Sequence, residues 1–112
     1  MRTCRQRLAD ILTATTDAAR LVEAGRQRFV SDPLLIRAAK NIISEIGEAA
    51  EGIDDSLLDS IPGVPWKAVK GMRDKVVHDY PEVDLDVLWD TLAHGLPVVH
   101  HAIVEHNKTL ER

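Results

Sequence analysis

The chain has 112 residues, of which 45% are hydrophobic, so it holds enough apolar material for one compact core. Its 14 basic and 18 acidic residues give a net charge of −4, which excludes a sequence-wide attraction for the phosphate backbone of a nucleic acid. The single cysteine, Cys4, excludes an internal disulfide, and no apolar run is long enough to predict a signal peptide or a membrane span. We therefore expect one domain, residues 1–112, in a soluble protein of the cytoplasm.

Two segments in the first half of the chain have the apolar spacing of helices. The first runs from about Thr3 to Gln27, and Gly25 is expected to fray its end. The second starts at Asp32 and Pro33, because aspartate can accept from the free amides of a first turn and proline has no N–H to satisfy there. Its predicted core face consists of Leu35, Ala39, Ile42, Ile43, Ile46 and Ile53.

A third helix is predicted from about Trp66 to His78, after a break rich in Pro, Gly and Asp at residues 53–65. Pro65 is well suited to open it. Lysines of this helix form either a small basic patch or an ordinary solvated face: Lys67, Lys70 and Lys75.

The last helix has the clearest apolar stripe in the chain, and either Asp84 or Asp86 can cap it. Pro97 interrupts the stripe and predicts a kink, because it removes one backbone hydrogen bond. Four helical segments with short connections and no strand-like alternation predict an all-α, antiparallel four-helix bundle. The stripe consists of Leu85, Leu88, Leu92, Leu96, Val99, Ile103 and Leu110.

Arg73 lies in the middle of the apolar face of the third predicted helix, within about 60° of Trp66 and Val69 on a helical wheel. A guanidinium is always charged, so its burial is costly unless a carboxylate or a ligand meets it. The structural interpretation is that Arg73 reaches solvent at the bundle edge or pairs with Glu45 or Glu48. The functional interpretation is that it binds a negatively charged ligand.

His78 follows Arg73 by five residues, which is about 140° around an ideal helix. The two side chains can meet only if the helix loosens near His78 or if they come from two chains of a dimer. Asp74 is four residues before His78 and can hold one imidazole nitrogen. The structural alternative for His78 is a polar C-terminal residue that interacts with the helix dipole.

A metal site is poorly supported by the histidines of the last helix. His94 and His101 share a face but lie about 10 Å apart along the axis, too far to bind one ion. His101 and Glu105 supply two ligands, fewer than the usual three or four. His106 falls near the core side and is interpreted as a packed or edge histidine.

The pattern Arg-Asp-x-x-x-His-x-Tyr, formed by Arg73, Asp74, His78 and Tyr80, resembles the motif of the HEPN family and most closely its HepT-like ribonuclease toxins. The similarity extends beyond the motif to three segments that lie between residues 36 and 97. These segments are IRAAKNIISEIGEAAEGI (36–53), PWKAVKGMRDKVVHDY (65–80) and DLDVLWDTLAHGLP (84–97).

This resemblance implies a metal-independent endoribonuclease without a cofactor, built as a helical bundle that forms a homodimer. His78 would act as general acid or base, Arg73 would bind the scissile phosphate and stabilise its developing charge, and Asp74 would orient His78. Tyr80 is implied as the residue to which a nucleotidyltransferase antitoxin attaches AMP. The alternatives are a non-catalytic HEPN module that binds a nucleotidyltransferase or a nucleotide, and a plain helical adaptor in which Arg73 forms a structural ion pair.

Overall fold

The computed structural model describes residues 1–78 and 84–111, and within these ranges it leaves out the side chains of residues 77 and 78. The described chain is helical, which confirms the predicted all-α class. Three long helices are α1 (Cys4–Val22), α3 (Pro33–Glu51) and α5 (Trp66–His78). The fourth long segment consists of α6 (Leu85–Asp90), a π-helical turn (Thr91–Gly95) and α7 (Leu96–Leu110). Two short helices, α2 (Arg26–Ser31) and α4 (Asp55–Asp59), lie in the connections.

The first predicted helix is too long at its C-terminal end, because α1 stops at Val22 and α2 is a separate element. Gly25 between them has a φ of 90°, a left-handed backbone conformation that side chains disfavour. This turn lets α2 place Phe29 in the core, where its ring centroid lies 5.4 Å from that of Trp89. The tertiary contact of Phe29 therefore explains why the helix does not continue.

Local hydrogen bonds explain where the long helices begin. Thr3 and Gln6 form a reciprocal capping box at α1, with donor–acceptor distances of 3.0 and 2.8 Å. Asp32 accepts from the backbone of Leu34 at 2.9 Å, as predicted for the start of α3. Asp84, one of the two residues predicted to cap the last helix, accepts from the backbone of Asp86 at 2.8 Å.

The long helices run antiparallel to their neighbours. Arg7, near the start of α1, packs on Gly52 at the end of α3. Lys70, early in α5, bonds to Asp55, which follows α3 in the chain. At the far end of the bundle, Arg26 after α1 forms an ion pair with Asp86 at the start of α6. Side chains from the long helices and α2 meet in one core whose most buried members include Ile11, Phe29, Ile46, Leu92 and Ile103.

A kink is predicted at Pro97, and the structure has a π-helical turn just before this residue, at Thr91–Gly95. The backbone N–H of Leu96 donates to Thr91 O, five residues back instead of four. Pro97 then occupies the first turn of α7, directly after this wide turn. The wide turn keeps both Leu92 and Leu96 buried.

A polar contact joins α1 to α7 inside the bundle. Thr15 is buried, and its Oγ1 lies 2.8 Å from Nδ1 of the half-buried His100. The same hydroxyl is within 3.1 Å of the Leu12 carbonyl. Sequence periodicity did not reveal this pair, because a threonine on a helix face gives no signal of its partner. In the described ranges, no helix has both the length and the apolar character needed to span a membrane.

Candidate active site

The first half of α5 is held firmly in the core. Trp66 and Val69 are buried, and the Trp66 indole N–H donates to the Ile61 carbonyl at 3.1 Å in a buried hydrogen bond. Such a bond satisfies two polar groups that burial would otherwise leave without partners. This anchor fixes the direction in which the rest of α5 leaves the loop.

Arg73 lies where α5 crosses α3 at close range. A Cβ atom placed on Gly47 of α3 would lie 3.0 Å from both the Cβ and the backbone nitrogen of Arg73, and 3.3 Å from the carbonyl oxygen of Val69. These distances are shorter than ordinary van der Waals contacts, so only glycine fits at this crossing without movement. The backbone of Arg73 is therefore pressed against α3.

The side chain of Arg73 is exposed, although the residue shares the face of Trp66 and Val69. Next to Arg73 on α5, the apolar residues Met72 and Val76 are only half-buried. Of the two structural interpretations, exposure at the bundle edge is therefore the one found here. The guanidinium points out of the core and is accessible to a ligand.

Arg73 has no ion pair or hydrogen bond with any carboxylate among residues 1–78 and 84–111. The predicted partners are exposed on α3: Glu45 accepts from Asn41 at 2.9 Å, and Glu48 lines a groove between α1 and α3 together with Arg2 and Arg7. The adaptor interpretation required an internal partner for Arg73. Within the described part of the chain, that partner is not found.

The backbone of α5 remains helical through His78, its last residue. The Cα atoms of Arg73 and His78 are therefore about 7.5 Å apart along the axis and about 140° apart around it. Asp74 is exposed. The His78 side chain and Tyr80 lie outside the described residues, so the convergence of Arg73 and His78, the contact of Asp74 with His78 and the role of Tyr80 stay predictions.

The lysines of α5 do not form one basic surface. Lys70 donates to Asp55 at 2.6 Å, and this hydrogen bond is the main reason why the pKa of Lys70 is raised. The negative charges of Glu51 and Asp59 act in the same direction. Lys67 and Lys75 are exposed. Acidic residues of α3 and α4 thus neutralise the middle of the predicted basic patch.

A separate groove of about 650 Å³ runs between α7 and the loop before α5, with a mostly apolar lining that includes Pro62, Val98 and Ala102. His101, Glu105 and His106 contribute to its wall. Nε2 of His106 is buried and has no hydrogen-bond partner in the described ranges, which agrees with the interpretation of a packed histidine. No group of three His, Cys, Asp or Glu side chains suited to a metal ion occurs among the described residues.

Gly47 is the part of this region that sequence reasoning missed. The apolar spacing predicts the helix that contains Gly47 and its core face, but periodicity does not say which neighbouring helix approaches closest. A glycine inside a strong helical pattern is the only available signal, since it costs about 1 kcal/mol relative to alanine unless packing requires it.

Comparison with known proteins identifies the group to which this chain belongs. The family model described as "Ribonuclease HepT-like" matches residues 11–105. A protein of Caldanaerobacter subterraneus subsp. tengcongensis named "Putative RNase TTE0752" is 35% identical over 77 residues, 69% of each chain. "Probable ribonuclease HepT" of Thermococcus cleftensis is 31% identical over 93 residues, 79% of this chain and 84% of that one.

A longer match is "Putative RNase MJ0125" of Methanocaldococcus jannaschii, which is 29% identical over 105 residues, 93% of this chain and 90% of that one. No solved structure gave a significant match. The family match begins within α1, ends within α7 and covers the positions of Gly47, Arg73 and His78. The chain therefore belongs to the HepT-like ribonuclease family, and the resemblance noted in its sequence is confirmed.

Proposed function

We propose that this protein is a metal-independent endoribonuclease toxin that cleaves RNA with Arg73 and His78 and is restrained by a nucleotidyltransferase antitoxin. The observation that carries the proposal is the exposed Arg73, a permanent cation without a carboxylate partner in the described ranges. It stands five residues before a histidine in a chain of the HepT-like ribonuclease family. An exposed guanidinium is a suitable ligand for a phosphate diester, because its planar donors match two phosphate oxygens.

In the proposed reaction the RNA 2′-oxygen attacks the adjacent phosphorus, and the bond from phosphorus to the 5′-oxygen breaks. The 2′-OH loses its proton to a base, and the leaving 5′-oxygen gains one from an acid. His78 serves one of these steps, since imidazole exchanges protons near neutral pH. Arg73 stabilises the negative charge on the phosphoryl oxygens, and Asp74 orients His78. The products are a 2′,3′-cyclic phosphate and a 5′-hydroxyl, and DNA is no substrate because it lacks the nucleophile.

The proposed active unit is a homodimer. Within one chain the regular helix α5 separates Arg73 and His78 by about 140°, which makes it hard for both to contact one phosphate. A second copy related by twofold symmetry can supply the missing residue, as an isologous interface brings the same helix from both chains together. The cleft between the two α5 helices would then hold the RNA.

The proposed control is the transfer of AMP from ATP to the phenolic oxygen of Tyr80, with release of pyrophosphate. Tyr80 is two residues beyond His78 in the sequence, so the added nucleotide would place bulk and negative charge beside the phosphate-binding site. A negative group there competes with the RNA phosphate for Arg73. The partner for this step is the antitoxin that the family resemblance implies.

Cleavage of a mixed RNA pool by the purified protein in excess EDTA tests the catalytic proposal. Wild type is compared with Arg73→Ala and His78→Ala, each checked for an intact fold by circular dichroism and thermal unfolding. We expect cleavage by wild type, a loss of about 100-fold or more in each variant, and cyclic phosphate ends on the products. An RNA with a single 2′-deoxy residue at the cleaved position should stay intact.

The same experiment separates the alternatives. If unmodified wild type and both variants are equally inert, the non-catalytic module that binds a nucleotidyltransferase or a nucleotide becomes the better description. Equal cleavage by all three proteins would assign the activity to other residues or to a contaminant. Loss of cleavage in EDTA that returns with added metal would contradict the metal-independent step.

A further inference from the structure

We infer that Gly47 is a positioning residue for Arg73, in that its lack of a side chain sets the distance between α3 and α5 at which the guanidinium meets the RNA phosphate. This inference rests on the proposed function. Its basis is the crossing of α3 and α5, where a Cβ on Gly47 would lie 3.0 Å from the Cβ and the backbone nitrogen of Arg73. Gly47 is not expected to touch RNA itself, since it is buried.

The atoms that face Gly47 cannot move aside by a change of rotamer. They are the backbone nitrogen and the Cβ of Arg73 and the carbonyl oxygen of Val69, all of which are fixed to the path of α5. A methyl group at position 47 must therefore shift one helix relative to the other. A contact with the end of a long side chain could be relieved by a change of rotamer, but no such atom is among the three nearest to a Cβ at position 47.

The rest of the core decides which helix moves. On α3, Ile46 and Ala50 are completely buried, so this helix is packed on both sides of Gly47. The start of α5 is held by Trp66 and Val69, whereas Met72 and Val76 are half-buried. The part of α5 around Arg73 is therefore held less firmly than the start of α5 or than α3, and Arg73 is the residue that contacts Gly47. We expect a Cβ at position 47 to move Arg73 outward and leave the start of α5 in place.

The test compares Gly47→Ala with Gly71→Ala. Gly71 is on the same helix as Arg73, but a Cβ there has nothing within 4 Å, so this control adds the same methyl group without a contact. We expect Gly47→Ala to lower kcat by about 3- to 10-fold with little change in KM, because a catalytic group displaced by a few tenths of an ångström loses part of its hold on the transition state. Gly71→Ala should keep the wild-type kcat. Gly47→Ser should lose at least as much as Gly47→Ala.

A double-mutant cycle distinguishes positioning from a general structural effect. If Gly47 acts through Arg73, Gly47→Ala should cause no further loss when it is added to Arg73→Ala. An equal additional loss in that background, or wild-type kcat in Gly47→Ala, would overturn the inference. Thermal unfolding of each variant confirms that kinetics are measured on folded protein.

Crystal structures of Gly47→Ala and Gly71→Ala give a readout that does not depend on activity. Arg73 should be displaced from α3 in the first variant and unmoved in the second, and an unmoved Arg73 in both would overturn the inference. If wild type cuts no RNA at all, the proposed function fails, and the displacement of Arg73 alone then decides whether Gly47 sets its position. The two failures are therefore distinguishable.

Discussion

At the scale of single residues, polar side chains in this protein fall into two groups. Some, like Thr15 and His100, satisfy each other between helices, at 2.8 Å. Arg73 instead is exposed, although Trp66 and Val69, earlier on the same face of α5, are buried. Residues of the first group join one helix to another, and a residue of the second kind leaves a positive charge accessible at the surface.

Replacement of Thr15 by valine should destabilise the protein by about 1–2 kcal/mol, because valine keeps the shape but removes the hydrogen-bond partner of half-buried His100. The adjacent Thr16 offers a matched control. It also bonds to the Leu12 carbonyl, at 2.8 Å, but it is exposed, so Thr16→Val should change stability by about 0.5 kcal/mol or less. Urea unfolding measures both, and an equal effect of the two substitutions would contradict a role for the His100 contact.

At the scale of elements, the sequence predicts a helix best where its boundaries have a local chemical cause. Asp32 and Pro33 start α3 as expected, and the predicted limits of the third helix agree with α5. The prediction was wrong at the end of α1, since a fully buried Phe29 on a separate helix depends on its contact with Trp89, far along the chain. Helix α4 was missed because its five residues are too few for a periodic pattern.

The hydrogen bond between Lys70 and Asp55 joins α5 to the short helix α4. We expect this bond to stabilise the folded protein by an amount that decreases at alkaline pH. The hydrogen bond to Asp55 raises the pKa of Lys70 above its usual 10.5. Protonated Lys70 therefore favours the folded state below pH 10.5, and this advantage is lost as the pH rises through the pKa of the folded protein. Wild type should exceed Asp55→Asn in Tm by a constant amount between neutral pH and about 10.

Above that range the difference in Tm should shrink. The control is Asp54→Asn, which changes an exposed neighbour that makes no side-chain cap bond at α4. Its difference from wild type should not vary in the same alkaline window. If the difference in Tm between wild type and Asp55→Asn stays constant up to the highest pH at which the protein folds, the charge of Lys70 does not contribute to stability through Asp55.

At the scale of the whole molecule, the acidic balance and the proposed substrate place a limit on how RNA can bind. A net charge of −4 gives no general attraction for phosphate, so the proposed RNA binding depends on a few local cations such as Arg73. The sequence pointed to the family and to the residues of its motif. The sequence does not predict the distance between Arg73 and α3, because that distance depends on the tertiary contact between Gly47 and α5.

A mixing experiment tests whether two copies share one site. If Arg73 of one chain acts with His78 of the other, a heterodimer of Arg73→Ala and His78→Ala has one site with both residues intact. Random exchange of equal amounts should then restore about a quarter of wild-type activity, from inactive parents. Sites contained within one chain would give no recovery, because each chain would lack one residue. Light scattering on the mixture establishes that dimers form and exchange.

The π-helical turn at Thr91–Gly95 gives the last helix an unusual tolerance to a change in length. A wide turn contains about one residue more than an α-helical turn, so deletion of Gly95 can convert it to a regular α-helix while Leu88 and Ile103 keep their directions. The same deletion in the middle of α3 would rotate every later residue by about 100° and expose its core face. We expect the protein without Gly95 to fold cooperatively and the protein without Ser44 not to. Insertions and deletions among relatives should therefore be more frequent at this turn than in α3.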